Sequence, residues 1–255
     1  MTTTMTSPEE LAMSGHEKLA ITSPQGLVIT GGQWPPTKAD DVLGHAIWKA
    51  LCERHTEPVQ QKLAAASVAI AGLGGLGSNI AVALARIGVG HLRLIDFDTV
   101  DMTNLNRQYY FIESLGKPKT EALRQVLTTI NPNIRIETMQ GKVTPAVIPE
   151  WFGGFPLVCE AFDKADQKAM LVTAVRRLLP QAIVVSGNGM AGCGHNEQMK
   201  TRQITEHLYM CGDGVTGPKP GAGLMAPRVA LCAAQMANVV TALILGHDVG
   251  ALDKI

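Results

Sequence analysis

The chain has 255 residues, 46% of them apolar and 4% aromatic, enough to bury one large core. Its 22 basic residues balance 22 acidic ones, so no bulk field of either sign draws it to nucleic acid or to an anionic membrane. Five scattered cysteines (Cys52, Cys159, Cys193, Cys211, Cys232) with no C-x-x-C pair argue against a disulfide framework and a four-thiolate zinc site, so zinc is not expected and a reducing cytoplasm is the expected location.

In chain order, residues 1–19 lack the apolar run of a secretory signal, and residues 1–42, rich in Thr, Ser, Gly and Pro, read as a partly irregular N-terminal extension. The main domain is expected over 43–250. An amphipathic helical pattern from Leu43 to Ala66 leads into the apolar strand Ser67–Ala71, followed by a helix over Ser78–Ile87 and a strand over His91–Asp96. A helix near 118–130 is stopped by Asn131-Pro132; strands at 134–139 and 156–162, a helix at 166–179 and a strand at 182–186 follow. This alternation predicts an α/β fold, a Rossmann-like, mostly parallel sheet with helices on both faces. Segments 198–204 and 206–211 read as an antiparallel C-terminal addition, and a helix at 227–245 closes the chain. The apolar stretch 222–246 is interrupted by Pro227, Arg228, Gln235 and Asn238, so no membrane span is expected.

The motif Gly72-x-Gly74-x-x-Gly77 sits between a strand and a helix, where glycines allow a tight turn and the helix start offers free N–H groups to a phosphate. Asp96, nineteen residues beyond Gly77 at the end of the next strand, is placed to accept bonds from ribose hydroxyls. A dehydrogenase owns such a fingerprint most often, yet Asn104, Asn106, Arg107 and Lys119 lie just beyond Asp96. Two amides and two cations suit a triphosphate and the charge of a departing pyrophosphate, and a nicotinamide site has little use for them.

The segments Gly72-Leu-Gly-Gly-Leu-Gly77, Asp96-Phe-Asp98, Asn104-Leu-Asn-Arg-Gln108, Gly116-Lys-Pro-Lys119 and Ile130-Asn-Pro132 together resemble the adenylation domain of the ThiF/MoeB/HesA family of ubiquitin-activating-enzyme-like proteins, over roughly residues 50–246. The resemblance implies an ATP-binding adenylation domain in which Gly72, Gly74, Gly75 and Gly77 with Asp96, Asp98, Thr103, Asn104, Asn106, Arg107, Gln108 and Lys119 hold the nucleotide. It further implies Asp163, at the end of the strand in Leu157-Val-Cys-Glu-Ala-Phe-Asp163, as the Mg2+ ligand, and Arg107, Lys119 and Asp163 as the catalytic set. The implied reaction is ATP-dependent adenylation of the C-terminal glycine carboxylate of a small ubiquitin-like sulfur-carrier protein, with release of pyrophosphate. The nucleophile belongs to the substrate, so positioning and electrostatics suffice without a His or Ser dyad. A homodimer is also implied.

Many relatives carry two zinc-binding C-x-x-C pairs that this chain lacks. Ser186–Gly194 and Gly223–Val229 are similar to a zinc-less ThiF subfamily linked to thiamine biosynthesis, which points to a ThiS-like carrier ending in Gly-Gly. Cys211 and Cys193 read first as small apolar structural residues. Arg54 is the nearby upstream candidate for the arginine that relatives extend into a partner's site. The alternatives are activation of a MoaD-like carrier (molybdopterin biosynthesis) or of a tRNA-base carboxylate, a noncatalytic nucleotide-binding subunit, and an NAD-dependent oxidoreductase.

Overall fold

The computed structural model describes residues 21–22, 28–30, 34–38 and 41–249, and most of the expected extension lies outside this set. Two short strands, β1 (Ile21–Thr22) and β2 (Val28–Thr30), precede helices α1 (Val42–His55) and α2 (Glu57–Ala65). The elements β3 (Ser67–Ala71), α3 (Gly75–Arg86), β4 (His91–Asp96), α4 (Lys119–Ile130), β5 (Arg135–Gln140) and α5 (Ile148–Phe152) come next. The chain continues through β6 (Leu157–Glu160), α6 (Ala165–Leu178), β7 (Ile183–Gly187), β8 (Lys200–Thr205), β9 (Leu208–Gly212) and α7 (Ala226–Leu245).

The strands join one sheet in the order β1-β2-β5-β4-β3-β6-β7-β9-β8. From β5 across to β9 every pairing is parallel, while β2 meets β5, and β8 meets β9, antiparallel. The expected Rossmann-like architecture is therefore present, with one refinement at its end. β9 extends the parallel array beside β7, and β8 folds back along its outer edge.

Burial along β3 follows the two-residue period of a strand. Val68 and Ile70 enter the core that contains buried residues of α3, α4 and α7, whereas Ala69 and Ala71 enter the opposite core, built on α5 and α6. Fully buried on both faces, β3 reads in sequence as an unbroken apolar run. Among the described residues, α7 is the one helix long and apolar enough to cross a membrane by length and composition. Its Cys232, Met236 and Val240 are buried in the core it shares with α3 and the sheet, which accounts for much of its apolarity.

Two local differences from the sequence reading have simple causes. The helix expected over 43–66 is two helices, parted at Thr56, whose φ is +72°, and Pro58 occupies the first turn of the second. A proline in a continuing helix would meet the carbonyl one turn back, so the chain restarts there instead. Helix α5 has five residues, too few for a helical period to register in the sequence.

Candidate functional site

The strand order reverses around β3, with β4 on one side and β6 on the other, which opens a crevice at the carboxyl ends of these strands. The glycine motif leaves β3 directly into this crevice. Gly72 has φ +87°, and a Cβ there would lie 2.8 Å from the Ala161 carbonyl oxygen, so the loop and the segment leading to Asp163 are in backbone contact. A Cβ on Gly77 would lie 1.8 Å from the Gly72 carbonyl oxygen, which fixes how tightly the turn closes. Gly74 differs: the nearest protein atom to its added Cβ is Gln108 Nε2 at 3.7 Å, leaving the mouth of the loop open.

Helix α3 starts inside the motif, at Gly75 rather than at the expected Ser78, and its cap position, Gly74, supplies no side-chain bond. Its first N–H groups lack a capping side chain and carry the positive end of the helix dipole, the local chemistry of an anion site. The supports of this loop were not anticipated from sequence. Tyr110, buried, donates its hydroxyl proton to the Leu73 carbonyl at 2.7 Å, and Ser78 Oγ donates to the Gly74 carbonyl at 2.6 Å. Asn79 Nδ2 donates to the carbonyls of both Gly75 and Arg107, which staples the helix start to the 104–108 segment. The Tyr110 and Asn79–Arg107 bonds gave no signal in sequence, since their partners lie 37 and 28 positions away.

Asp96 ends β4 with its carboxylate against the loop. One oxygen accepts from Leu73 N at 2.6 Å and the other from Asp98 N at 2.8 Å. Burial pushes its pKa upward, and the two backbone donors offset part of that rise. The carboxylate therefore braces the turn, and each oxygen keeps a further lone pair for a hydroxyl.

Lys119 is the first residue of α4 and is buried; its Nζ lies 3.1 Å from Asp98 Oδ2, and its N–H donates to the Asp98 carbonyl. Asp98 and Lys119 thus form one ion pair in the crevice, with the carboxylate half-exposed. Asp101 caps the short 3-10 turn Met102–Asn104, accepting from the N–H and hydroxyl of Thr103, while Asn104 Oδ1 accepts from Asp101 N. Thr103 and Asn104 so form a shaped turn beneath Arg107. Arg107 is half-buried; its guanidinium donates to the Thr103 carbonyl and to Asn106 Oδ1, and its stem runs beside Gly75. Asn106 Nδ2 donates to the Leu224 carbonyl at 3.0 Å. Gln108 is buried beside Gly74, and its Oε1 has no partner among the described residues.

Asp163 follows β6, exposed, and no described residue bonds its carboxylate. Glu160, three residues earlier, is fully buried and already engaged by Lys168 Nζ at 2.8 Å, Ser186 Oγ at 2.6 Å and Phe162 N at 2.8 Å. Of the two carboxylates, Asp163 is the one with ligand capacity to spare. Among the described residues no group of three or more His, Cys, Asp or Glu could hold a metal, so a cation here would need oxygen ligands from a bound phosphate.

Arg54 sits elsewhere. Beside it, His55 Nδ1 bonds Gln60 Oε1, and Gln60 Nε2 donates to the carbonyl of Gly88, beyond the far end of α3. That twelve-residue helix is about 18 Å long, which separates Arg54 from the glycine loop of its own chain.

The ThiF family matches residues 47–254. The molybdopterin-synthase adenylyltransferase of Escherichia coli is 31% identical over 201 residues, covering 77% of this chain and 80% of that protein. The sulfur carrier protein ThiS adenylyltransferase of E. coli is 35% identical over 134 residues, 52% of this chain and 53% of that protein. Against several curated relatives, this one included, the chain spans only about half their length. Among solved structures, E. coli tRNA N6-threonylcarbamoyladenosine dehydratase in complex with ATP superimposes with a TM-score of 0.73 at 22% identity, covering 82% of this chain and 98% of that one. At that identity the superposition speaks for the fold.

Proposed function

The chain belongs to the ThiF family, and we propose that it is an adenylyltransferase that activates the C-terminal glycine carboxylate of a small ubiquitin-like sulfur carrier. The observation that carries this reading is the crevice itself: an uncapped helix start with an open Gly74, with Arg107 running beside Gly75, Lys119 paired with Asp98, and an exposed Asp163 that no described residue engages two positions beyond the Ala161 backbone that meets Gly72. Such a site favours an oligophosphate over a nicotinamide dinucleotide.

In the proposed reaction a carboxylate oxygen of the carrier attacks the α-phosphorus of ATP. The bond from that phosphorus to the bridging oxygen breaks, leaving acyl-adenylate and pyrophosphate. The α3 amides and Arg107 stabilise charge on the phosphates, and Lys119, released from Asp98 or shared with it, neutralises the leaving group. Asp163 would hold Mg2+, which supplies charge neutralisation on the phosphate oxygens when bound. Asp96 orients the ribose, and the unpartnered Gln108 Oε1 offers one more acceptor beside Gly74.

A ThiS-like carrier ending in Gly-Gly is the proposed substrate, supported by the Ser186–Gly194 and Gly223–Val229 segments and by the ThiS adenylyltransferase among the relatives. The absence of any C-x-x-C pair supports a zinc-free member. A homodimer and a cytoplasmic location go with this reading, and the exposed Phe97, Met102, Phe111 and Ile112 offer apolar surface for a second copy. A second reading, activation of a tRNA-base carboxylate, draws support from the 35% sequence identity to the E. coli tRNA threonylcarbamoyladenosine dehydratase over about half of each chain. The test is exchange of labelled pyrophosphate into ATP, run separately with a ThiS-like protein, a MoaD-like protein and tRNA. Exchange driven by the ThiS-like carrier is expected. Exchange driven by tRNA alone would favour the second reading, and none with any substrate would sink both.

A further inference from the structure

One deeply buried charge pair has no part in the proposed chemistry. Arg228, in the first turn of α7, is paired with Asp213 in the turn after β9: Nη2 lies 2.5 Å from Oδ2, and the two side chains are 4% and 1% exposed. Burying two opposite charges carries a desolvation penalty that their attraction can fail to offset, so the pair is weak evidence for stability, and its partners are where another role shows.

The partners of the pair suggest what that role is. Arg228 Nη1 donates to the carbonyls of Gly194 and His195, the latter a residue with φ +50°. Asp213 Oδ1 accepts from Val215 N and Thr216 N, and Oδ2 from Thr216 Oγ1, which in turn accepts from Ala191 N. The backbone of Asp213 and Gly214 also bonds the carbonyls of Gly189 and Asn188. One ion pair thus gathers three separate segments: the turn after β7, the turn after β9 and the start of α7.

From there the contacts run directly to the glycine loop. Val229, the residue after Arg228, would lie 2.8 Å from a Cβ at Gly75, so α7 rests on the first residue of α3. Just before α7, the Leu224 carbonyl is held by Asn106, which also accepts from Arg107. The first turn of α7 and the residue just before its cap therefore meet the glycine loop and the 104–108 segment.

We propose that Asp213 and Arg228 are positioning residues that seat α7 against the glycine loop and thereby set the affinity of the site for ATP. This rests on the reading of the loop as an ATP site. Neither residue needs to touch nucleotide. An arginine suits the task because its planar fork can hold a carboxylate and backbone carbonyls together, which a lysine ammonium at the same place cannot do in the same geometry.

The experiment compares Arg228→Met, Arg228→Lys and the double variant Asp213→Asn/Arg228→Met with the wild-type chain. Thermal midpoint, ATP KM and kcat in pyrophosphate exchange, and nucleotide-free amide hydrogen exchange are measured for each. Arg228→Met leaves Asp213 charged and unpaired, so its midpoint falls; the double variant removes both charges and recovers most of that loss. The proposal expects the ATP KM to stay raised about ten-fold in both, with kcat changed less and partial rescue by Arg228→Lys. It also expects faster exchange at Leu73, whose N–H bonds the Asp96 carboxylate, and at Ser78, whose N–H bonds the Gly74 carbonyl, with Ile70 and Leu94 of the sheet unaltered. An ATP KM that returns to wild type together with the midpoint, or faster exchange spread evenly over β3 and β4, would overturn it. Should the wild-type chain show no ATP dependence, the ATP reading falls on that result, and the exchange pattern at Leu73 and Ser78 still decides whether the pair seats the loop.

Discussion

Glu137 on β5 is 1% exposed, and three basic side chains converge on it. Arg93 Nε donates at 2.8 Å and Nη2 at 2.5 Å, His91 Nε2 lies at 3.1 Å, and Arg135 closes the group. Burial alone would raise the carboxyl pKa, but bonds and charge from His91 and Arg93 overcome it and hold the group at about 2, against an ordinary 4.5. A depressed folded pKa means stability that is complete above the unfolded value and lost as pH falls toward the folded one. Between about 2 folded and 4.5 unfolded, the carboxylate contributes about 3 kcal/mol at neutral pH, of which about 1 kcal/mol remains at pH 3. The perturbation is Glu137→Gln, and the assay is urea unfolding of wild type and variant at several pH values from 7 to 3. The variant also strands Arg93 beside an uncharged amide, so the gap at pH 7 will exceed the linkage figure alone. The quantity to read is therefore the narrowing of the gap, about 2 kcal/mol between pH 7 and pH 3. A gap that stays constant across that range would refute the assignment of a depressed pKa to Glu137.

Two glycines of the loop should respond in opposite ways. Gly77→Ala drives a Cβ into the Gly72 backbone at 1.8 Å and should lower the thermal midpoint sharply, whereas Gly74→Ala, with 3.7 Å of clearance, should fold and lose ATP affinity instead. Isothermal titration with ATP beside thermal unfolding separates the two; a Gly74→Ala chain that binds ATP normally would count against the phosphate assignment. Asp163→Ala should abolish carrier-dependent exchange at a stability cost within about 0.5 kcal/mol, because the side chain is exposed. Lys119→Met should lower kcat/KM by about 10²–10³, and its stability cost should stay near 1 kcal/mol because the Asp98 partner is 48% exposed. With a thiol reagent at pH 8, exposed Cys193 should label in the native protein, whereas Cys159, Cys211 and Cys232 should label only on unfolding. Burial raises all three, Cys211 to about 11 and Cys232 to about 12, and rapid native labelling of any of them would contradict that burial.

The parallel core of the sheet was legible because a strand buried on both faces must be apolar throughout, as Val68–Ala71 are, and because Gly88 and Asn131-Pro132 punctuate the helices. The glycine motif and Asp96 were legible as local signals at fixed spacing. What escaped were features defined by contacts between distant segments. Tyr110 on the Leu73 carbonyl and Asn79 on the Arg107 carbonyl are examples. The pairing of Lys119 with Asp98 escaped for the same reason, since residues 21 positions apart meet only after the sheet has formed. Arg228 illustrates the limit most clearly. In sequence it interrupts an apolar helix, and only the turns around Asp213 and Gly194 give that charge partners.

The contact between Gly75 and Val229 carries an evolutionary consequence. The two positions, one at the head of each helix, share a single small volume, with 2.8 Å between a hypothetical Cβ on one and a methyl of the other. A lineage that gains a methyl group at 75 must surrender one at 229. Across homologous chains the two sites are therefore expected to covary in size, and a library randomised at both should return compensating pairs rather than independent winners.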